Sequence, residues 1–281
     1  MQVVWITDPH LNFLPAGGSE AFGIDVAKNH PDSDLMVISG DIAEAPTVRN
    51  CLNDLARGYG KKIAFTLGNH DYYYGSFESV RKEMAESLTD NLVWLDAAEP
   101  ILLDDATAIV GHEGWFDGHY GDPIKSRVVM SDFEIIRDLR KHWDKFGWAY
   151  GGPRDELLAV LKQLGQQAAD TARPRLRAAL EQRENVLFVT HFPPFDKACW
   201  HRGAVSDRHW LPWFTCRAMG DMLLDVAGQY PDRRIQVLCG HTHSPGVYQP
   251  LPNLKVLTGK SVYGSPRVHA VLTTPFDWPK V

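Results

Sequence analysis

The amino-acid sequence predicts an α/β protein built as a four-layer α/β/β/α sandwich with mixed β-sheets. Three features lead there. Short apolar runs rich in β-branched residues recur along the chain and have the look of buried strands. Segments with helical periodicity fall between them, and such alternation is the mark of helices layered on sheets. The tail, residues 254–273, adds further strand-like runs suited to antiparallel pairing.

In chain order, strands are expected at 3–7, 35–39, 62–66, 107–110, 186–190 and 235–239. Helices are expected at 20–29, 47–57, 77–87, 154–182 and 217–229. In the longest, Leu157, Val160, Leu161 and Leu164 recur at helical spacing and mark one core-facing stripe. Pro174 is expected to kink or split it. The stretch 114–152, rich in Trp, Arg, Asp and Gly, is expected to be an insertion within a single domain spanning 1–281.

Hydrophobic residues make up 44% and charged residues 23%, the usage of an ordinary globular chain, which excludes a disordered or membrane class. No run approaches the roughly 20 apolar residues that a membrane-spanning helix requires. Met1 leads directly into Val3-Val4-Trp5-Ile6 without a signal-peptide pattern. Cys51, Cys199, Cys216 and Cys239 show no C-x-x-C spacing, so free thiols and a cytoplasmic location are expected. The formal net charge of -6 argues against long duplex nucleic acid as a partner and favours a small or terminal substrate.

The chemistry lies at the strand ends. Five apolar runs each lead into polar, ligand-type residues: Asp8-Pro9-His10, Gly40-Asp41, Gly68-Asn69-His70-Asp71, His191, and Gly240-His241-Thr242-His243. In open α/β sheets such ends converge on one crevice. Carboxylate, amide and imidazole donors without thiolates suit Mn, Fe, Zn or Co ions. The glycines before Asp41, Asn69 and His241 are expected to let the chain turn sharply there. Any one of these residues alone would be an ordinary turn residue, so it is the set that carries the argument.

That set, D-x-H, G-D, G-N-H-D, H and G-H-x-H in this order from Asp8 to His243, resembles the calcineurin-like metallophosphoesterase superfamily. The resemblance implies that Asp8, His10 and His243 hold one metal ion, that Asn69, His191 and His241 hold the other, and that Asp41 bridges them. It implies that His70 protonates the leaving-group oxygen or stabilises the phosphoryl charge, with Asp71 orienting its ring. The nucleophile would be a metal-bound hydroxide, since coordination lowers the pKa of water from about 15.7 to about 7. The implied substrate is a phosphomonoester or phosphodiester. A catalytically silent scaffold that binds a protein partner is the alternative, and the complete motif set weighs against it.

Residues 192–216 begin one position after His191 and carry Trp200, His201, Arg202, Arg208, His209, Trp210 and Trp213. This loop is expected to overhang the ions. Its aromatics could stack on a nucleobase or aryl group and its arginines could pair with phosphate oxygens, or the tryptophans could anchor the loop, and both readings stand at this point. His112 follows a strand run and is expected to be structural. His30, His119, His142, His201, His209 and His269 match no motif position, and no role is expected of them.

Overall fold

The computed structural model describes residues 1–86, 88–143 and 154–276. The apolar runs form two mixed sheets. The first contains β1 (Gln2–Ile6), β2 (Leu35–Ser39), β3 (Lys62–Thr66), β4 (Leu92–Trp94) and β13 (Ala270–Thr273) in the order β13-β1-β2-β3-β4. Strands β1 to β4 are parallel, and β13 runs antiparallel along β1. The second contains β5 (Ile101–Leu102), β6 (Thr107–Gly111), β7 (Asn185–Val189), β10 (Arg234–Cys239), β11 (Gly246–Leu251) and β12 (Leu254–Thr258) in the order β11-β12-β10-β7-β6-β5. Its four central strands are parallel, with antiparallel strands at both edges. A small hairpin pairs β8 (Trp200–His201) with β9 (Ala204–Val205).

The period-2 alternation of strand side chains divides the core in two. Val3, Trp5, Val37 and Ala64 of the first sheet share a buried cluster with Ile109, Leu187, Val189 and Leu238 of the second. Their neighbours Val4, Ile6, Met36, Ile38, Val186 and Phe188 belong to a larger core shared with the helices. Strands covered on both faces must be apolar throughout, which is why they read as unbroken runs. The helices are α1 (Gly18–Asn29), α2 (Val48–Tyr59), α3 (Phe77–Glu86), α4 (Asp132–Ile135), α5 (Arg137–Arg140), α6 (Asp155–Gln182), α7 (Leu211–Phe214) and α8 (Arg217–Gln229). α1 packs on α2, while α6 lies across β6, β7 and α8.

Several expectations need correction. α6 continues through Pro174 without splitting. A proline inside a helix costs about 3 kcal/mol or more, but Ala168, Ala169, Ala172, Leu176, Ala179 and Leu180 bury one face on both sides of it, and that packing holds the helix together. In the tail, residues 254–273, β13 pairs antiparallel with β1, while β12 is antiparallel to β11 on one side and parallel to β10 on the other. β1 and β7 each begin and end one residue earlier than expected. α3 is described to Glu86, and Ser87 lies outside the described residues. Within the expected insertion, residues 144–152 also lie outside them. Trp115, Phe116, Phe133, Ile136 and Leu139 of the described part are buried in the larger core. Among the described residues, no helix is long and apolar enough to cross a membrane.

Candidate metal centre

Parallel strands deliver their C-terminal ends to one edge, and the backbone there is unusual. Seven non-glycine residues among those described have positive φ, and five are expected metal ligands: Asp8 (46°), His10 (43°), Asp41 (52°), His241 (67°) and His243 (54°). Short polar residues tolerate this region best, yet it still carries strain, and such strain gathers at functional sites. Each chain turns abruptly as it leaves its strand, which aims the next side chain across the edge. Gly40 (φ 87°) does need its conformational freedom. Gly68 and Gly240 are needed for space instead, since a Cβ on them would lie 2.3 Å from Asp41 Oδ1 and 2.2 Å from Asp8 Oδ2.

The expected ligands come together as two groups. Donor atoms of Asp8, His10, Asp41 and His243 lie within 4.8 Å of one another, as do those of Asp41, His191 and His241. Asp41 belongs to both. Asn69 joins the second group through its Oδ1, 3.0 Å from His191 Nε2. His10 Nε2 and His243 Nε2 face each other at 3.1 Å, and His10 Nδ1 is buried without a hydrogen-bond partner.

A second layer of contacts orients these side chains. His191 Nδ1 donates to the Ser39 carbonyl at 2.9 Å, leaving Nε2 as the free donor atom. His241 Nε2 points at the Trp213 carbonyl at 3.4 Å, which leaves Nδ1 for the site. Asp8 Oδ1 accepts from the His241 amide at 2.8 Å, and Thr7 Oγ1 donates to Oδ2. The Asn69 amide nitrogen is 3.4 Å from the Tyr73 hydroxyl, which donates to Asp132 Oδ2 at 3.1 Å. That chain turns the Asn69 oxygen toward His191.

The electrostatics fit a cationic occupant. Asp8 and Asp41 are both fully buried carboxylates. Burial and then the Asp8 charge push the Asp41 carboxyl well above its ordinary range. Burial also works to raise Asp8, but His243, His191 and His10 hold it well below the usual range. Burial pushes His10 down to about 2 and His241 well below its ordinary value, so these imidazoles are neutral, as metal ligands must be. Paired buried carboxylates, opposed imidazole nitrogens and an orphaned ring nitrogen are the arrangement that two cations would satisfy.

His70 sits beside this centre and in neither group, with Nε2 4.0 Å from Asp41 Oδ2 and its ring stacked on Tyr73 at 4.3 Å. Burial lowers its pKa to about 4. The expected contact from Asp71 is not the one found. Asp71 Oδ1 accepts from the amides of Ile42 and Ala43, at 2.9 and 2.8 Å, and Oδ2 accepts from the Gly68 amide at 2.8 Å. His70 Nδ1 has no hydrogen-bond partner. Asp71 therefore ties together the loops that follow β2 and β3.

A pocket of about 710 Å³ opens over the centre. Asp41, Asn69, His70, His241 and His243 line its base, and the loop 192–216 contributes His201, Val205, Asp207, Trp210 and Phe214. The loop does overhang the site. Its aromatics divide: Trp210 is 47% exposed on the pocket, whereas Trp213 is buried and donates to Ser126 Oγ at 2.8 Å as an anchor. Arg208 is exposed and does not line the pocket. His201 was assigned no role by its motif context, yet it lines the pocket. His112 is structural, its Nδ1 accepting from the Gly114 amide at 3.1 Å. Sequence reasoning missed Tyr73, Asp132 and Tyr263, all on the lining. G-N-H-D ends two residues before Tyr73, and a position two beyond a motif was the one available signal.

Two sheets whose strand ends present paired Asp/His clusters to a single pocket make up the scaffold of a metallophosphoesterase. The chain belongs to the calcineurin-like phosphoesterase family, whose model matches residues 1–245. Among solved structures it is similar to phosphopantetheinyl hydrolase from Mycobacterium tuberculosis, with a TM-score of 0.60 and 15% identity over 94% of this chain and 90% of that one. A dimetal phosphatase from Danio rerio gives 0.57 and 14% over 95% and 89%. At these identities the likeness is one of fold. No curated protein matches the chain by sequence.

Proposed function

We propose that the protein hydrolyses phosphate esters, monoesters or diesters, with two metal ions held at the strand ends. The sharing of Asp41 between two buried donor groups at the base of one pocket carries this reading. Asp8, His10 and His243 would hold one ion, Asn69, His191 and His241 the other, with Asp41 between them. Bound there, divalent or trivalent ions such as Mn, Fe, Zn or Co supply Lewis acidity toward phosphoryl oxygens and hydroxide from water near neutral pH. His70 lines the pocket, where its ring would hydrogen-bond a leaving-group or phosphoryl oxygen as a neutral imidazole, and Tyr73 stacked on it fixes the ring plane. Asp71 acts behind them by holding the loops of Asp41 and Asn69 together. The complete donor set speaks against a silent scaffold. Four free cysteines, three of them buried, support a cytoplasmic place of action.

The test is elemental analysis of protein purified with Mn, together with hydrolysis of p-nitrophenyl phosphate and bis-p-nitrophenyl phosphate. Two ions per chain and turnover of at least one ester are expected, and Asp41→Ala should lose both ions and turnover. Retention of both ions by Asp41→Ala would show that this carboxylate does not bridge. A loaded protein that cleaves neither ester would defeat the hydrolase reading.

A further inference from the structure

The pocket over the donor groups is aromatic and apolar above its base. Trp210 packs on Phe214 at 5.6 Å, and Phe214 on the ligand His241 at 4.4 Å. A second aromatic row begins at Phe13, 5.3 Å from Tyr263, which lies 4.3 Å from His10 and 4.9 Å from His243. Trp210 and Tyr263 are 47% and 49% exposed, so each leaves broad ring surface open to the pocket. Val129 and Met130 complete the apolar part. Among the described residues of the lining there is no lysine or arginine, while Asp132 and Asp207 add negative charge.

The phosphoryl group of a substrate goes to the base, so the rest of the molecule must occupy this aromatic space. A second phosphate there would meet Asp132 and Asp207 and no lysine or arginine of this lining, since Lys125 and Arg127 line an adjoining pocket that shares only Val129 and Trp210 with it, and anions bound in a pocket need charged or amide donors. Half-exposed rings gain instead by covering a flat apolar surface. We propose that the substrate carries one phosphoryl centre and that its organic part is a flat, uncharged ring system, a nucleoside or an aryl group, lying against Trp210 and Tyr263. This rests on the hydrolase reading above. It excludes, as good substrates, nucleoside di- and triphosphates and phosphates of open chains or of sugars that carry no flat ring.

Binding to Mn-loaded protein tests it without turnover. Calorimetric titration should find phenylphosphonate bound about 5- to 150-fold more tightly than methylphosphonate, the range that stacking of one ring carries. Trp210→Ala, or Tyr263→Leu where the first variant folds poorly, should shrink that ratio severalfold while metal content holds. In kinetics, adenosine 5′-monophosphate or phenyl phosphate should exceed glycerol 3-phosphate and adenosine 5′-diphosphate in kcat/KM. Preference for the adenosine ester would mark the ring as a nucleoside, and preference for the phenyl ester would mark it as an aryl group. Equal affinity of the parent protein for the two phosphonates, or a diphosphate preferred over the monophosphate, overturns the proposal. A protein that prefers phenylphosphonate yet hydrolyses no ester overturns the hydrolase reading and leaves the ring-binding surface standing.

Discussion

Asp8, His10, Asp41, His241 and His243 hold their side chains from a left-handed backbone, a conformation that costs an L-residue roughly 1–2 kcal/mol. The metal-free protein carries that cost without return. His10 offers a clean test, because His10→Gly and His10→Ala both delete the imidazole and differ mainly in the Cβ. Without metal, His10→Gly should be the more stable of the two by about 1 kcal/mol, read as the difference in urea midpoints. Equal midpoints would mean that the φ of 43° at this position carries no strain. The donors themselves were legible in the sequence because each chemistry-bearing residue follows an apolar run. Their backbone was not, since Asp and His are admitted to this region without being diagnostic of it. Asp71 was misread for a related reason. His70–Tyr72 form a turn of 3-10 helix, where successive side chains diverge by about 120°, so adjacency in sequence separates Asp71 from the His70 ring.

Elements place the donors, and the loops after β2 and β3 are coupled through one carboxylate. Asp71 accepts three backbone N–H groups across them. An amide in its place keeps one acceptor oxygen and turns N–H groups toward N–H groups. Asp71→Asn should therefore lose about 1–3 kcal/mol of stability, the cost of leaving buried donors unsatisfied, and should also bind metal more weakly because Asp41 and Asn69 ride on those loops. Thermal melting and a metal titration together check it, and a variant matching the parent in both would assign the tie no importance. Long, strongly apolar elements such as β2, β3 and α8 were legible to within a residue. The two- and three-residue strands β4, β5, β8 and β9 were not, because a run so short has no period to read. Of the kink or split that Pro174 suggests by local propensity, α6 shows no split, and the buried alanine face on either side of the proline holds the helix continuous.

At the scale of the whole molecule, the donor groups draw on both sheets: Asp8, His10, Asp41 and Asn69 follow strands of the first, and His191, His241 and His243 follow strands of the second. Which strands share a sheet is set by long-range pairing that no local pattern encodes, so the sequence showed convergence of the strand ends without showing that two sheets meet there. Ions bound at this junction would stabilise the folded state by mass action, about 4 kcal/mol at a thousandfold excess over Kd. Exhaustive chelation should accordingly lower Tm by on the order of 10 °C, and readdition of Mn should restore it. A Tm indifferent to chelation would leave the two sheets held by their apolar interface alone.

The lining of the pocket, which holds no lysine or arginine among the described residues, would also govern how a substrate arrives. An anionic ester approaches a chain of formal net charge -6 whose pocket, among the described residues, displays no lysine or arginine. Charges on bound ions are screened beyond about 8 Å at physiological ionic strength, so little long-range attraction gathers the ester from solution. Enzymes steered by basic funnels gain 10-fold or more in association rate and lose it steeply as salt is added. Lys125 and Arg127, which line the pocket adjoining this one at Val129 and Trp210, are cations that such an ester would pass, and encounter would otherwise be left to diffusion. Measured from about 0.01 to 0.3 M NaCl, kcat/KM should stay level or rise as repulsion by the acidic surface is screened, whereas a steep fall would reveal a gathering cation elsewhere on the approach. If the protein hydrolyses such esters, its activity would hold steady across salt conditions that slow electrostatically steered enzymes.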